Sequence, residues 1–330
     1  MPAMDFQPAL AAFVVSLACL WILLSPPVRR LLLDRPNERS LHAQPVPRSG
    51  GIAIAAGAAA GLMLAPERPL AAFGLAAALA ALSLLDDLLS LPTLLRLAAH
   101  LAAAGAFVFI ETGASDPVML ALLALAIAWY ANLYNFMDGS DGLAGGMAVF
   151  GFGAYAWAAL QSGHGALAAA GAVIAAASFA FLLFNFHPAR LFMGDAGSVP
   201  LGFLAGALGV LGWRDGVWPL WFPLLVFAPF VGDATLTLLR RLARGEKVWQ
   251  AHRDHYYQRL VRMDFGHRGT AWVEYGAMAA CAAVALLARE ASPALQVVAL
   301  CASAAALAAL ALWVDLRWAR MQRTAGDVGG

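Results

Sequence analysis

The sequence predicts an all-α polytopic membrane protein of ten to eleven transmembrane helices. Three observations carry that reading. Hydrophobic residues make up 62% of the 330-residue chain and charged residues only 12%, where soluble domains carry about 25% charged. Mean hydropathy is +0.73. The apolar residues also fall in runs close to the ~20 residues that cross a bilayer, with basic residues gathered in alternate gaps between them.

Eleven runs qualify: 8–25, 50–65, 69–85, 97–112, 117–133, 143–161, 165–184, 199–212, 217–238, 270–288 and 293–313. The first has no basic segment ahead of it and ends in "SPPVRR", not in a small-residue cleavage site. It therefore reads as a spanning helix rather than a removed leader. Arg29 and Arg30 follow it, which predicts a periplasmic N-terminus and a cytoplasmic first loop. The cytoplasmic connections are then 26–49, 86–96, 134–142, 185–198, 239–269 and the tail from 314. They hold 18 of the 21 lysines and arginines; only Arg68, Arg214 and Arg289 fall on the other side. A miscounted helix would scatter the basic residues, so the asymmetry supports the count as well as the orientation. Residues 1–314 form one membrane domain and 315–330 a cytoplasmic tail, whose "TAGDVGG" end has a disordered composition.

Composition narrows the function classes. A formal net charge of +1 gives no broad basic surface for nucleic acid. Cys19, Cys281 and Cys301 each sit alone in an apolar run and read as small hydrophobes. Short turns such as "PERP" and "WRDG" serve only to reverse the chain.

The polar residues gather in the cytoplasmic gaps. "LLDDLLSLP" ends the third run with Asp86 and Asp87; charge at a helix end near lipid is costly and is functional or paired. "NLYNFMDGSDGLAGG" spaces Asn132, Asn135, Asp138 and Asp141 by threes. A step of three on a 3.6-residue helix drifts about 60°, so the first three keep one side. Gly139 and Gly142 then break the helix into a polar loop. Carboxylates with amide oxygens are hard ligands suited to Mg²⁺ with substrate phosphate. "FNFHPARLFMGDAGSVPLG" offers Asn185 and a glycine-flanked Asp195, with a helix expected to start near Ser198. "DRPNERSLHAQPVPRSGG" brings Arg39, His42 and Arg48. The largest gap, "RRLARGEKVWQAHRDHYYQRLVRMDFGHRG", brings Arg253, His255 and Gln258; basic groups facing acidic loops suit a diphosphate. Its histidines lack the spacing of a zinc site. Oxygen ligands, basic partners and glycine turns on one membrane face are what magnesium-dependent phosphoryl transfer needs, with one lipid and one soluble substrate.

These motifs, in this order and on one side, resemble the polyprenyl-phosphate N-acetylhexosamine-1-phosphate transferase superfamily, glycosyltransferase family 4. The likeness runs from "PNERSLHAQPVPRSGG" to "HRDHYYQRL". It implies a bacterial inner-membrane enzyme of ten or eleven helices that uses Mg²⁺, or Mn²⁺ in its place. A UDP-N-acetyl sugar gives its sugar-1-phosphate to undecaprenyl phosphate and UMP leaves, beginning surface-polysaccharide or lipopolysaccharide assembly. Asp86 and Asp87 match the paired aspartates that handle the acceptor phosphate. Asn135, Asp138 and Asp141 match "NxxDGxDGLA", Asp195 the magnesium aspartate, and His255 the first histidine of a nucleotide-sugar motif. The implied set is therefore catalytic Asp86, Asp87, Asp138 and Asp141, and metal-binding Asp195. Its substrate-binding members are Asn132, Asn135, Asn185, Arg39, His42, Arg48, Arg253, His255 and Gln258. Two branches carry further histidines after His255, where this chain has Tyr256, Tyr257 and Gln258. "HRxHxYQRL" is more similar to the O-antigen and capsule branch, whose donors include deoxy sugars such as N-acetylfucosamine and N-acetylquinovosamine. The alternatives are a phospho-N-acetylmuramoyl-pentapeptide transferase, a secondary transporter with midplane acids, and an intramembrane aspartyl protease. Direct displacement and a two-step route through a phospho-aspartate both stay open, and so does a homodimer.

Overall fold

A computed structural model describes residues 5–29, 33–34, 46–113, 116–248, 250 and 252–328. Each of the eleven apolar runs falls on helix. They are α1 (Gln7–Leu23), α3 (Gly50–Leu64), α4 (Leu70–Leu89), α5 (Thr93–Thr112), α6 (Pro117–Met137), α7 (Leu143–Gln161), α8 (Gly165–Asn185), α9 (Asp195–Arg214), the pair α10 (Trp221–Val226) and α11 (Ala228–Ala243), α13 (Gly266–Ala288) and α14 (Pro293–Val328). Short helices α2 (Pro26–Arg29) and α12 (Tyr256–Leu260) lie in the gaps, with a two-residue antiparallel ladder of β1 (Leu33–Asp34) and β2 (Val46–Pro47). Among the described residues, eight helices are by themselves long and apolar enough to cross a membrane; α1 and α3, at 17 and 15 residues, are shorter.

Most helix ends shift by a few residues from the expected runs, and three differences bear on the fold. The 217–238 run is broken: α10 ends at Val226 and α11 starts at Ala228, with Pro229 in its first turn, where its missing N–H is tolerated. Helix α9 begins at Asp195 rather than near Ser198. Helix α14 runs on to Val328, so the expected loose end is helical up to that residue.

Small residues set the packing. Gly57 and Gly61 of α3 lie against the carbonyls of Ala12 and Pro8 of α1, where a Cβ would come within 2.5 Å. Close backbone approach of this kind drives association between helices in lipid. Helix α9 is the centre: every residue from Ala196 to Gly212 is buried. Its Gly202 meets Tyr130 O and Ala131 of α6, and its Gly197 meets Gly51 of α3. A central, fully buried helix is a rigid mount, and its first residue is Asp195. The outer helices expose large apolar side chains such as Leu94, Leu287 and Leu295, the surface a bilayer would cover.

Candidate active site

Three groups of polar side chains meet where α6 ends and α9 begins. The first is built around Asp195. Asn135, in the last turn of α6, points its Nδ2 at Asp195 Oδ2 across 3.5 Å, and its Oδ1 accepts from Ser198 Oγ at 2.7 Å. Asp138 follows the last residue of α6. Burial pushes its carboxyl up to about 8; Asp195 beside it adds to the rise, while Arg48 and the Gly194 N–H oppose it. Arg48 is brought in by the backbone: Phe192 N–H donates to Pro47 O, and the Gly50 and Gly51 N–H groups donate to Phe192 O and Met193 O, all at 2.8–2.9 Å. Gly194, at φ 73°, makes the turn that a side chain would resist.

Asp138 and Asp195 supply carboxylate oxygens, and the two repel each other where few protein donors reach them. Among the described residues no three His, Cys, Asp or Glu side chains converge as a ready-made metal cage. Magnesium is ordinarily held by one or two carboxylates, with the remaining positions left to waters and substrate phosphates. The residues present fit such an ion.

The second group locks the loops around Asp141. His187 Nδ1 lies 2.7 Å from Asp141 Oδ2, which also accepts from Ala189 N–H at 3.1 Å. Asp141 N–H donates to His267 Nδ1 at 3.4 Å, and the two imidazoles stack with centroids 5.7 Å apart. Asn185, expected to meet substrate, has a different task. Its Oδ1 accepts from Gly142 N–H and its Nδ2 donates to Leu191 O, so both amide atoms hold backbone. Gly142 itself, at φ 76°, starts α7.

The third group is the cap of α12. Asp233, on α11, accepts from His255 Nδ1 at 3.1 Å, from Tyr256 and Tyr257 N–H at 3.0 Å each, and from Thr237 Oγ1 at 3.1 Å. Gln258 Oε1 accepts from His255 N–H, closing a capping box. Gln258 therefore shapes the turn that holds His255. Tyr257 hydroxyl donates to Phe136 O at 3.1 Å and packs on Gly139, where no Cβ fits. This contact joins the third group to the end of α6. His252 stacks beside His255 at 4.8 Å, and burial, with His255 and Arg241 adding, pushes it down to about 4. Arg253 is half-buried in the same turn and its carbonyl accepts from Arg262.

The remaining expected residues have other partners or lie outside the described residues. Asp86 is tied into the α4–α5 turn: Oδ1 accepts from Leu91 N–H at 2.7 Å and Oδ2 from Arg96 at 2.9 Å. Among the described residues no hydrogen bond or ion pair links it to Asp138 or Asp195. Asp87 is exposed at the same helix end. Asn132 donates to Ala128 O of its own helix at 2.7 Å and so faces away from any substrate with that group. Arg39 and His42 lie outside the described residues.

Asp233, His187, His267 and Ser198 are the site residues that motif reading passed over. For Asp233 a signal existed, because it is a lone acid inside an apolar run, "LVFAPFVGDATL". For the two histidines there was none, since they sit 80 residues apart in the sequence.

Comparison with known proteins agrees with this geometry. A family profile described as "Glycosyl transferase family 4" matches residues 69–212. A protein of Bacillus subtilis named "Probable undecaprenyl-phosphate N-acetylglucosaminyl 1-phosphate transferase" is 30% identical over 290 residues, covering 80% of each chain. A decaprenyl-phosphate N-acetylglucosaminephosphotransferase of Mycolicibacterium smegmatis is 31% identical over 288 residues, covering 71% of this chain and 69% of its own. A phospho-N-acetylmuramoyl-pentapeptide-transferase of Moorella thermoacetica is 40% identical, but over 104 residues and 32% of each chain. With acids, amides and glycine turns gathered at one end of a polytopic helical bundle, and with relatives that align along most of its length, the chain belongs to glycosyl transferase family 4, the membrane-embedded polyprenyl-phosphate sugar-phosphate transferases.

Proposed function

We propose that this enzyme transfers N-acetylhexosamine-1-phosphate from a UDP-sugar to undecaprenyl phosphate and releases UMP. The observation that carries the reading is the Asp138–Asp195 pair, two adjacent carboxylates fixed at the end of α6 and the start of α9. An acceptor phosphate oxygen attacks the sugar-bearing phosphorus; its bond to the bridging oxygen breaks, and the electron pair leaves with UMP. Asp195 and Asp138 would hold Mg²⁺, whose charge neutralises the donor diphosphate and the departing phosphate. Asn135, itself held by Ser198, orients Asp195. His255, fixed by Asp233 and the Gln258 box, holds the donor together with Arg253 and Arg48. Asp141 keeps the glycine loop in place through His187. Asp87, the more exposed of the two aspartates at the end of α4, handles the acceptor phosphate.

The basic asymmetry of 18 residues to 3 supports a cytoplasmic site in a bacterial inner membrane. The names of the relatives favour N-acetylglucosamine as the first donor to try; "HRxHxYQRL" supports adding UDP-linked deoxy N-acetyl sugars. On this reading the product feeds surface-polysaccharide assembly. The test uses purified full-length protein with undecaprenyl phosphate and a panel of UDP-sugars, with UMP release as the readout. Turnover with one donor that stops on chelation and returns with Mg²⁺ is expected. No UMP from any N-acetyl donor, or release unaffected by chelation, overturns the reading.

A further inference from the structure

A second candidate site lies beside this centre and shares Asp233 with it. Helices α10, α11, α12, α13 and α14 line a half-open cavity of about 430 Å³, a size typical of small-ligand sites. Its wall is aliphatic almost throughout, with Leu236, Leu300 and Leu307 among the residues, and it carries the side chains of Asp233, Glu274 and Ser303. Asp233 is fully engaged with α12. Glu274 is not: it is 5% exposed, and among the described residues no hydrogen bond or ion pair reaches its carboxyl.

A carboxyl in apolar surroundings without a partner is costly, and within a spanning helix it marks a site. Whatever fills the cavity must bring hydrocarbon for the wall and a hydrogen-bonding group for Glu274. A phosphate would find no basic side chain on this wall, whose polar groups include Asp233, Glu274 and Ser303. An uncharged hydroxyl needs none and pairs with a carboxyl in either protonation state. Glu274 lies eight residues into α13, about 12 Å along it, so the hydroxyl that meets it must come below headgroup level, which a lipid without a charged headgroup allows. We propose that this cavity holds one acyl chain of a neutral glycerolipid, a diacylglycerol, with its free hydroxyl bonded to Glu274. Tyr256 forms part of the wall, so the occupant supports the underside of the turn that carries His255. The inference does not rest on the transferase reading.

The test places full-length protein in phosphatidylcholine nanodiscs containing a diacylglycerol with a diazirine on one acyl chain. After photolysis the adducts are mapped by mass spectrometry. Adducts should concentrate on residues 274–277 and 300–311. Ala304→Phe, which fills the cavity, and Glu274→Leu should each lower them about fivefold, while Glu274→Gln keeps them, as loss and retention of one hydrogen bond predict. If Ala304→Phe does not fold, the contrast between Leu and Gln at 274 decides alone. Labelling spread evenly over outward residues such as Leu295 and Val297 overturns the proposal. Equal labelling of all variants does so too. Competition by undecaprenyl phosphate would give the cavity to the acceptor chain instead, and the proposal falls.

Discussion

Two acidic centres sit within one contact of each other and are built in opposite ways, Asp233 buried and the Asp138–Asp195 pair half-buried. Asp233 receives four donors at 3.0–3.1 Å, two from backbone N–H groups and two from side chains. The Asp138–Asp195 pair receives the Gly194 N–H and a long Asn135 bond, with Arg48 nearby as the opposing charge. Each carboxylate raises the cost of ionising the other. A fully satisfied acid fixes structure: Asp233 starts α12 and aims His255. A pair left short of positive charge suits a ligand that supplies it.

The largest effect should separate the two centres by readout. Asp195→Asn removes one of the repelling charges and keeps the side chain's shape. Turnover should fall by about a thousandfold or more, on the scale of losing a preorganised electrostatic group. The thermal midpoint should stay level or rise, because burying two adjacent carboxylates is itself unfavourable. Initial-rate UMP release and a melting curve on the same preparation check both. Near-normal turnover would break the comparison at its functional end.

Asp233→Ala should do the reverse. It strips Tyr256 and Tyr257 N–H and His255 of their acceptor, and a lost cap with buried orphan donors costs about 2–4 kcal/mol. The thermal midpoint should therefore drop, and turnover should fall only as far as His255 loses its position. Asp233→Asn should recover part of the stability, since one amide oxygen still accepts. A melting curve unchanged by Asp233→Ala would mean that the four bonds are incidental.

These opposite roles explain what was legible in the sequence. Hydropathy placed all eleven runs on helix, because a lipid solvent enforces long apolar segments with internal backbone bonds. The break at Gly142 was legible too, since a left-handed turn before a helix favours glycine. The start of α9 at Asp195 was not: "GDAGS" carries no apolar signal, and the helix forms there because Gly194 and Ser198 close its first turn. Motif spacing grouped Asn132 with Asn135, but only packing shows that one bonds its own helix and the other meets Asp195. Long-range partners such as His187 with Asp141, or Asp233 with His255, leave no mark in spacing, because the fold and not the local period brings them together.

A smaller effect tests the edge of the Asp233 centre. His252 lies beside His255, Arg241, Asp254 and Glu246, and burial with its cationic neighbours lowers it from 6.5 to about 4. The unfolded chain therefore takes up this proton as pH falls below 6.5, while the folded chain resists until about 4. Across that window the unfolded state binds more protons, so stability falls as the solution is acidified. His252→Gln should flatten this part of the midpoint–pH curve and leave it unchanged above pH 7. An equal slope in the variant would assign the acid sensitivity elsewhere.

The smallest effect concerns Asp86, an acid of intermediate character. Like Asp233 it accepts a backbone N–H and a basic side chain, but its partner Arg96 is 36% exposed. Solvent screens such a pair, and exposed ion pairs are worth about 0–1 kcal/mol. Asp86→Asn keeps an acceptor for Leu91 N–H and loses only the charge, so its midpoint should shift by less than about 1 kcal/mol's worth. Its turnover should fall far less than that of Asp87→Asn, whose carboxylate is the one proposed to meet the acceptor. Measuring both variants against undecaprenyl phosphate concentration sharpens the assignment. If Asp86→Asn loses the greater share of turnover with an unchanged midpoint, its turn-holding contacts are secondary and the acceptor role passes to Asp86.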